Sequence, residues 1–112
     1  MAVIRAHIAA AAAFLAGPAL ADPVCTFTEE CYMTLACEET AYEMTVDRDA
    51  GLVSTLVEDL EILHVEEQSA TQILARGMGA LHLLTIGPAT AVLSVHIGTG
   101  PAAITYYGSC TE

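Results

Sequence analysis

The 112-residue chain contains no lysine and only three Lys or Arg residues in all, against 14 acidic ones. So few cations argue against nucleic-acid binding, because phosphate contacts are made largely by Lys and Arg. They argue equally against electrostatic attachment to anionic lipid. Long apolar runs are also missing. The best of them, Ile8 to Gly17, falls short of the roughly 20 residues a membrane-spanning helix needs. C-x-x-C and C-x-x-H spacings are absent, which removes the usual signatures of zinc and of thiol redox catalysis. No serine sits in a G-x-S-x-G elbow. Internal repeats, low-complexity tracts and interior linkers are absent too, so the chain reads as one domain after its leader.

That leader is legible at the N-terminus. Arg5 supplies a positive start, Ile8 to Gly17 an apolar stretch, Pro18 a helix breaker and Ala19-Leu20-Ala21 a small-x-small cleavage site. The positive start, apolar stretch and cleavage site are the three parts of a secretory signal peptide. The expectation is therefore a signal peptide over residues 1–21 and a mature domain over 22–112, periplasmic or secreted, with no stable membrane insertion after cleavage. Arg5 leaves with the signal. Arg48 and Arg76 then face all 14 acids, a formal charge of −12. That charge suits solubility first, and tolerates basic partners or divalent cations.

Cys25, Cys31, Cys37 and Cys110 make an even count in a short exported domain, which reads as two disulfides. Cys31 and Cys37 bracket a stretch short enough to fold back as a loop. Cys25 and Cys110 belong to the first and last strands, which are neighbours in a closed meander. The expected pairing is Cys31 with Cys37 and Cys25 with Cys110; the competing one is Cys25 with Cys31 and Cys37 with Cys110.

Turn residues punctuate the rest: Asp49-Ala50-Gly51, Glu66 to Ser69, Gly77-Met78-Gly79, Gly87-Pro88 and Gly98-Thr99-Gly100-Pro101. Between them lie short runs rich in Val, Ile, Leu, Thr and Tyr, at 42–47, 52–57, 60–65, 71–76, 80–86, 91–97 and 103–108, with 24–28 as an eighth. This spacing predicts an all-β fold, a small antiparallel sandwich or barrel of seven to eight strands with two disulfides. Ala91, Leu93, Val95 and Ile97 share one face; Val92, Ser94 and His96 share the other. Ala80 to Ile86 is apolar on both faces, as in a strand buried on both sides. Leu52, Leu56, Leu60 and Leu63 recur at helical spacing, so a helix over 52–64 competes with strand there. The preceding turn and the β-branched residues favour strand.

Glu30-Cys31, Ala36-Cys37, Tyr42-Glu43-Met44, His82-Leu83-Leu84-Thr85, Gly100-Pro101 and Tyr106-Tyr107-Gly108-Ser109-Cys110 together give a pattern that resembles small uncharacterised secreted proteins of Rhodobacter-type alphaproteobacteria. The resemblance covers most of the mature chain. It implies an exported β domain and brings no chemistry with it.

Candidate chemistries are thin. Ser94 and His96 project from one strand face, which suits a solvated pair better than a nucleophile and its base. His82 and His96 lie on neighbouring runs across the Gly87-Pro88 turn. A five-residue loop would set them opposite one another; a two- or four-residue loop would set His82 opposite Val95. Two imidazoles fall short of the three or four ligands a transition metal wants. Asp47-Arg48-Asp49-Ala50-Gly51 with Glu58 resembles part of a calcium loop, with its glycine one place early and its fifth ligand missing. Cys31 and Cys37 have acidic neighbours, Glu30 and Glu38, which disfavour a reactive thiolate. Glu29-Glu30, Glu38-Glu39 and Glu66-Glu67 are adjacent pairs whose members face opposite sides of a strand. No catalytic, cofactor-binding or metal-ligating residue is therefore assigned. The expected function is a non-catalytic binding or accessory domain, inhibitor-like towards a basic hydrolase or other envelope protein, or a carrier of a small apolar ligand if a barrel encloses a cavity. A periplasmic hydrolase and a divalent-cation binder are the alternatives.

Overall fold

A computed structural model describes residues 22–111; the expected signal over 1–21 lies outside them. Eight strands form: β1 (Val24–Tyr32), β2 (Glu38–Asp47), β3 (Leu52–Ser54), β4 (Asp59–Glu67), β5 (Thr71–Gly77), β6 (Ala80–Ile86), β7 (Ala91–Ile97) and β8 (Ala102–Thr111). Each pairs antiparallel with the next, and β8 returns to β1, so the sheet is a closed up-and-down barrel. Closure gives every strand two neighbours, although short β3 pairs only with residues 45–47 of β2 and 59–61 of β4.

The alternation of side chains follows the strands. Cys25, Phe27, Met44, Val46, Val53, Leu60, Ile73, Ala75, Leu84, Ala91, Leu93 and Val95 fill the interior. Phe27, Tyr42 and Tyr106 form an aromatic cluster near one end, with Tyr42 and Tyr106 ring centroids 4.9 Å apart. Around the barrel centre, Met44, Val53, Leu60, Ile73, Ala75, His82, Leu84 and Leu93 leave no room for a water molecule. Glutamates 29, 39, 43, 61 and 66 are exposed on the outside. An apolar inside and an acidic outside are the reverse of a barrel whose wall faces lipid.

Both disulfides pair as expected, Cys25 with Cys110 and Cys31 with Cys37. Cys25 and Cys110 face each other across the β1–β8 seam. One feature differs from the sequence reading. β6 is buried on one face only: His82 and Leu84 point inward, while Leu81 and Leu83 stand on the outer wall, exposed. Residues 52–64 form two strands, as the turn and β-branched residues favoured, and not the competing helix. β3 stops at Ser54, a tight loop occupies 55–58, and β4 begins at Asp59. The leucines at helical spacing separate accordingly, Leu60 into the core and Leu56 and Leu63 outside. A bulge between Ile62 and His64 shifts the register beside Leu63.

The strands define two rims. The upper rim carries the loops at 33–37, 55–58, 78–79 and 98–101. The lower rim carries the turns at 48–51, 68–70 and 87–90, together with the start of β1 and the end of β8.

Candidate functional site: the upper rim

The upper rim is built by local chemistry that holds apolar side chains in solvent. In the β1–β2 loop the Leu35 N–H donates to the Tyr32 carbonyl at 3.0 Å, closing a turn that the Cys31–Cys37 disulfide staples at its base. The Met33 N–H donates to the Ala103 carbonyl at 2.9 Å, and the Ala103 N–H donates to Met33 Sδ at 3.2 Å, tying the turn to β8. Leu35 is nevertheless 66% exposed and Met33 52%.

The β3–β4 loop is organised around one hydroxyl. Thr55 Oγ1 donates to the Glu58 carbonyl at 2.8 Å and accepts the Val57 and Glu58 N–H groups at 3.1 Å each. This is the local side-chain-to-backbone bonding by which Ser and Thr build turns. Its tip presents Leu56, 95% exposed, with the exposed Val57 beside it. The Glu58 carboxylate then accepts the Met78 N–H at 3.0 Å, linking this loop to the β5–β6 turn.

Met33 and Met78 are also the two non-glycine residues, among those described, with left-handed backbone, at φ 55° and 54°. Such a conformation costs roughly 1–3 kcal/mol and concentrates at functional sites. Methionine is the soft, adaptable side chain often used on recognition surfaces.

Acid surrounds these tips. The β1–β2 register sets Glu29 opposite Glu39 and Glu30 opposite Glu38. Like charges directly opposite one another destabilise a sheet, so this end carries charge against the interest of its own stability. Glu58 and Asp59 place further charge at the end of the 55–58 loop. Glu30 also accepts a hydrogen bond from the Tyr106 hydroxyl at 3.2 Å. Burial first, then the Glu30 charge and this bond, then neighbouring Tyr42, push the Tyr106 hydroxyl up to about 12. Burial raises Tyr42 in the same direction.

The other sequence candidates fall apart or stay bland. A four-residue loop, 87–90, sets His82 opposite Val95 and His96 opposite Leu81, so the two imidazoles occupy opposite faces of the wall. His82 is core, 3% exposed; its Nε2 lies 2.9 Å from the Gly77 carbonyl and its Nδ1 has no partner. Ser94 Oγ and His96 Nε2 are 3.1 Å apart on the outer wall. No described residue hydrogen-bonds the other ring nitrogen to orient it, as the triad logic requires. Asp47 Oδ1 accepts the Ala50 N–H at 3.1 Å within the lower-rim turn, whereas Glu58 belongs to the upper rim. The calcium-loop residues thus lie at the two ends of the three-residue β3 and form no cluster. Glu29 clusters with Cys31 and Cys37 within 4.8 Å, but both sulfurs are spent in the disulfide.

Open concavities among the described residues include two larger ones. One of about 340 Å³ sits at the lower rim over Val46, Ile73 and Ile86, beside the exposed Arg48–Glu67 ion pair. Another of about 600 Å³ is a groove on the outer wall between Arg76, Leu81, His96 and Ile97. The Arg76 guanidinium donates to Glu61 at 2.9 Å. Each described arginine is thus held by a glutamate, Arg48 at the lower rim and Arg76 at the upper end of β5 beside Gly79 and Gly98.

No family model matches this chain, and neither a curated protein nor a solved structure matches it. The two disulfides belong to an oxidising, extracytoplasmic environment. Sequence reading missed the upper rim as a site. Its signals were the leucine and valine of Thr55-Leu56-Val57-Glu58 in a loop and the four glutamates flanking Cys31 and Cys37.

Proposed function

We propose that this protein is an exported, non-catalytic recognition domain, periplasmic or secreted, that docks its upper rim onto another extracytoplasmic protein. The observation that carries the reading is the presentation of Leu56 and Leu35 in solvent by loops already ordered by Thr55 and by the Cys31–Cys37 staple. An apolar side chain held in its bound geometry loses little entropy on docking. The filled interior supports action from the surface over carriage of a ligand within the barrel.

The partner is one with an apolar cleft rimmed by Lys or Arg. Leu35, Leu56 and Val57 supply the anchors, and Glu29, Glu38, Glu39, Glu58 and Asp59 supply the complementary charge. A basic hydrolase with such a cleft fits this description. The left-handed Met33 inside a closed turn is unlike the extended backbone of a bound substrate. Docking therefore rests on side chains entering a cleft and not on strand pairing.

Capture from an extracytoplasmic extract with immobilised mature protein tests this. A specific partner should be retained by the wild type and by Leu83→Asp on the outer wall. It should be lost from Leu35→Asp/Leu56→Asp and released by rising salt. Equal retention by wild type and the double rim variant would sink the reading.

A further inference from the structure

The two disulfides sit in opposite surroundings. Cys25 is fully buried, Cys110 is half-buried, and both face one another across the seam that closes the barrel. Cys37 is exposed and Cys31 half-buried, and their bridge spans only the loop at 32–36. Immediately inside that bridge the ladder places Glu30 against Glu38 and Glu29 against Glu39. No described cation pairs with any of these four carboxylates; both arginines are engaged elsewhere, with Glu67 and Glu61.

We propose that the Cys31–Cys37 disulfide is a reducible latch on the upper-rim loop, and that like-charge repulsion among Glu29, Glu30, Glu38 and Glu39 opens the loop once the latch is cut. The reductant is a dithiol. Its thiolate attacks the exposed Cys37 sulfur, and Cys31 leaves and takes up a proton. The second thiolate of the reductant then displaces Cys37, which is protonated in turn. The protein gains two thiols, and the reductant becomes its own disulfide. Cys31 and Cys110 are both half-buried, and Cys110 borders the lower-rim concavity, so the difference in access lies between exposed Cys37 and fully buried Cys25; it favours cutting Cys31–Cys37 first. Opened, the loop loses the staple that positions Leu35 and Met33, and the repelling strand ends separate. The consequence for partner binding rests on the docking reading above; the latch itself does not.

The test begins with graded dithiothreitol, alkylation of exposed thiols and peptide mapping of the mature protein. Cys31 and Cys37 should carry label while Cys25 and Cys110 remain bridged and the β-sheet circular dichroism is kept. Simultaneous opening of both bridges, or earlier labelling of Cys25 and Cys110, would overturn the latch. Amide exchange at Met33 and Leu35, whose N–H groups bond to Ala103 and Tyr32, should speed up by about tenfold or more on reduction, as loss of a short covalent loop implies. The rise should be smaller in Glu29→Gln/Glu39→Gln and at about 1 M salt, where screening shortens to a few ångströms. Unchanged exchange at these amides refutes the opening; a rise insensitive to charge and salt refutes the repulsion. With the partner in hand, the reduced protein should bind about tenfold or more weakly. Equal binding by both forms, alongside loss of binding in Leu35→Asp/Leu56→Asp, would refute the gating and leave docking intact. If those rim variants bind like wild type, docking fails, and the mapping and exchange arms still decide the latch.

Discussion

A methyl group built on Gly108 would lie 2.0 Å from the Thr26 carbonyl oxygen and 2.7 Å from the Phe27 Cα. Gly108 stands opposite Phe27 on β1 and Ala91 on β7, beside the β1 bulge, so the closing strands approach through the space a side chain would occupy. Gly108→Ala should therefore cost the upper end of the roughly 1–3 kcal/mol of overpacking, or more, read as a fall in the urea midpoint. Tyr106 makes a separate prediction. Its hydroxyl is raised from 10.0 to about 12 in the folded protein. Above pH 10 the unfolded chain loses this proton first, so the contribution present below pH 10 fades between pH 10 and 12. Alkaline denaturation should be less steep in Tyr106→Phe, with a residual slope from Tyr42, which shifts the same way. Identical alkaline profiles for the two proteins would contradict this. His82 offers a third residue-scale case. Its buried Nδ1 has no partner, so an apolar replacement relieves that atom while removing the Nε2 contact to the Gly77 carbonyl, and the two effects offset. His82→Leu should thus change unfolding free energy by no more than about 1 kcal/mol, measured by chemical denaturation.

At the scale of the element, the Thr55–Glu58 loop shows how a helical-looking stretch becomes two strands. The stripe Leu52, Leu56, Leu60, Leu63 has a helix's spacing, but Thr55 captures two N–H groups and returns a bond to the Glu58 carbonyl, so the chain reverses at once. Thr55→Val should remove all three bonds, speed amide exchange at Val57 and Glu58, and lower stability by about 1 kcal/mol, the order of a net hydrogen bond in an exposed loop. Unchanged exchange at those amides would show that the hydroxyl does not organise the loop. The β1–β2 hairpin makes a complementary case. Its register was within reach of the sequence once Cys31 is paired with Cys37, since the ladder that follows sets Glu30 against Glu38 and Glu29 against Glu39. The acidic pairs were instead weighed as neighbours along one strand, which hid their meeting across two.

For the whole molecule, closure is the governing fact. The Cys25–Cys110 bridge spans 85 residues and joins first strand to last. The chain-entropy model puts its stabilisation at roughly 4.5 kcal/mol, a large share of what a domain this small commands. Cys25→Ser/Cys110→Ser should lower the melting temperature sharply, whereas Cys31→Ser/Cys37→Ser should leave the barrel folded and loosen only the upper rim. Similar melting of the two variants would deny the division of labour between the bridges.

The all-β class, most strand positions and the face shared by Ala91, Leu93 and Val95 were determined by the sequence alone; it favoured the observed disulfide pairs, and the structure excluded the competing pairing. Period-two alternation, turn residues and cysteine placement act over a few residues or through a single covalent rule, so they survive without a structure. What tertiary structure decided was of another kind. Ala80 to Ile86 is apolar on both faces as a string, yet in a closed barrel with one interior only His82 and Leu84 can be inside, and Leu81 and Leu83 are left outside. The face taken by His82 depended on the four-residue length of one loop. The site depended on bringing 33–37, 55–58 and 78–79, far apart along the chain, to one rim. Which apolar residues stay in solvent is settled by the geometry of closure, because a barrel of this size has a single interior and fills it before every leucine is placed.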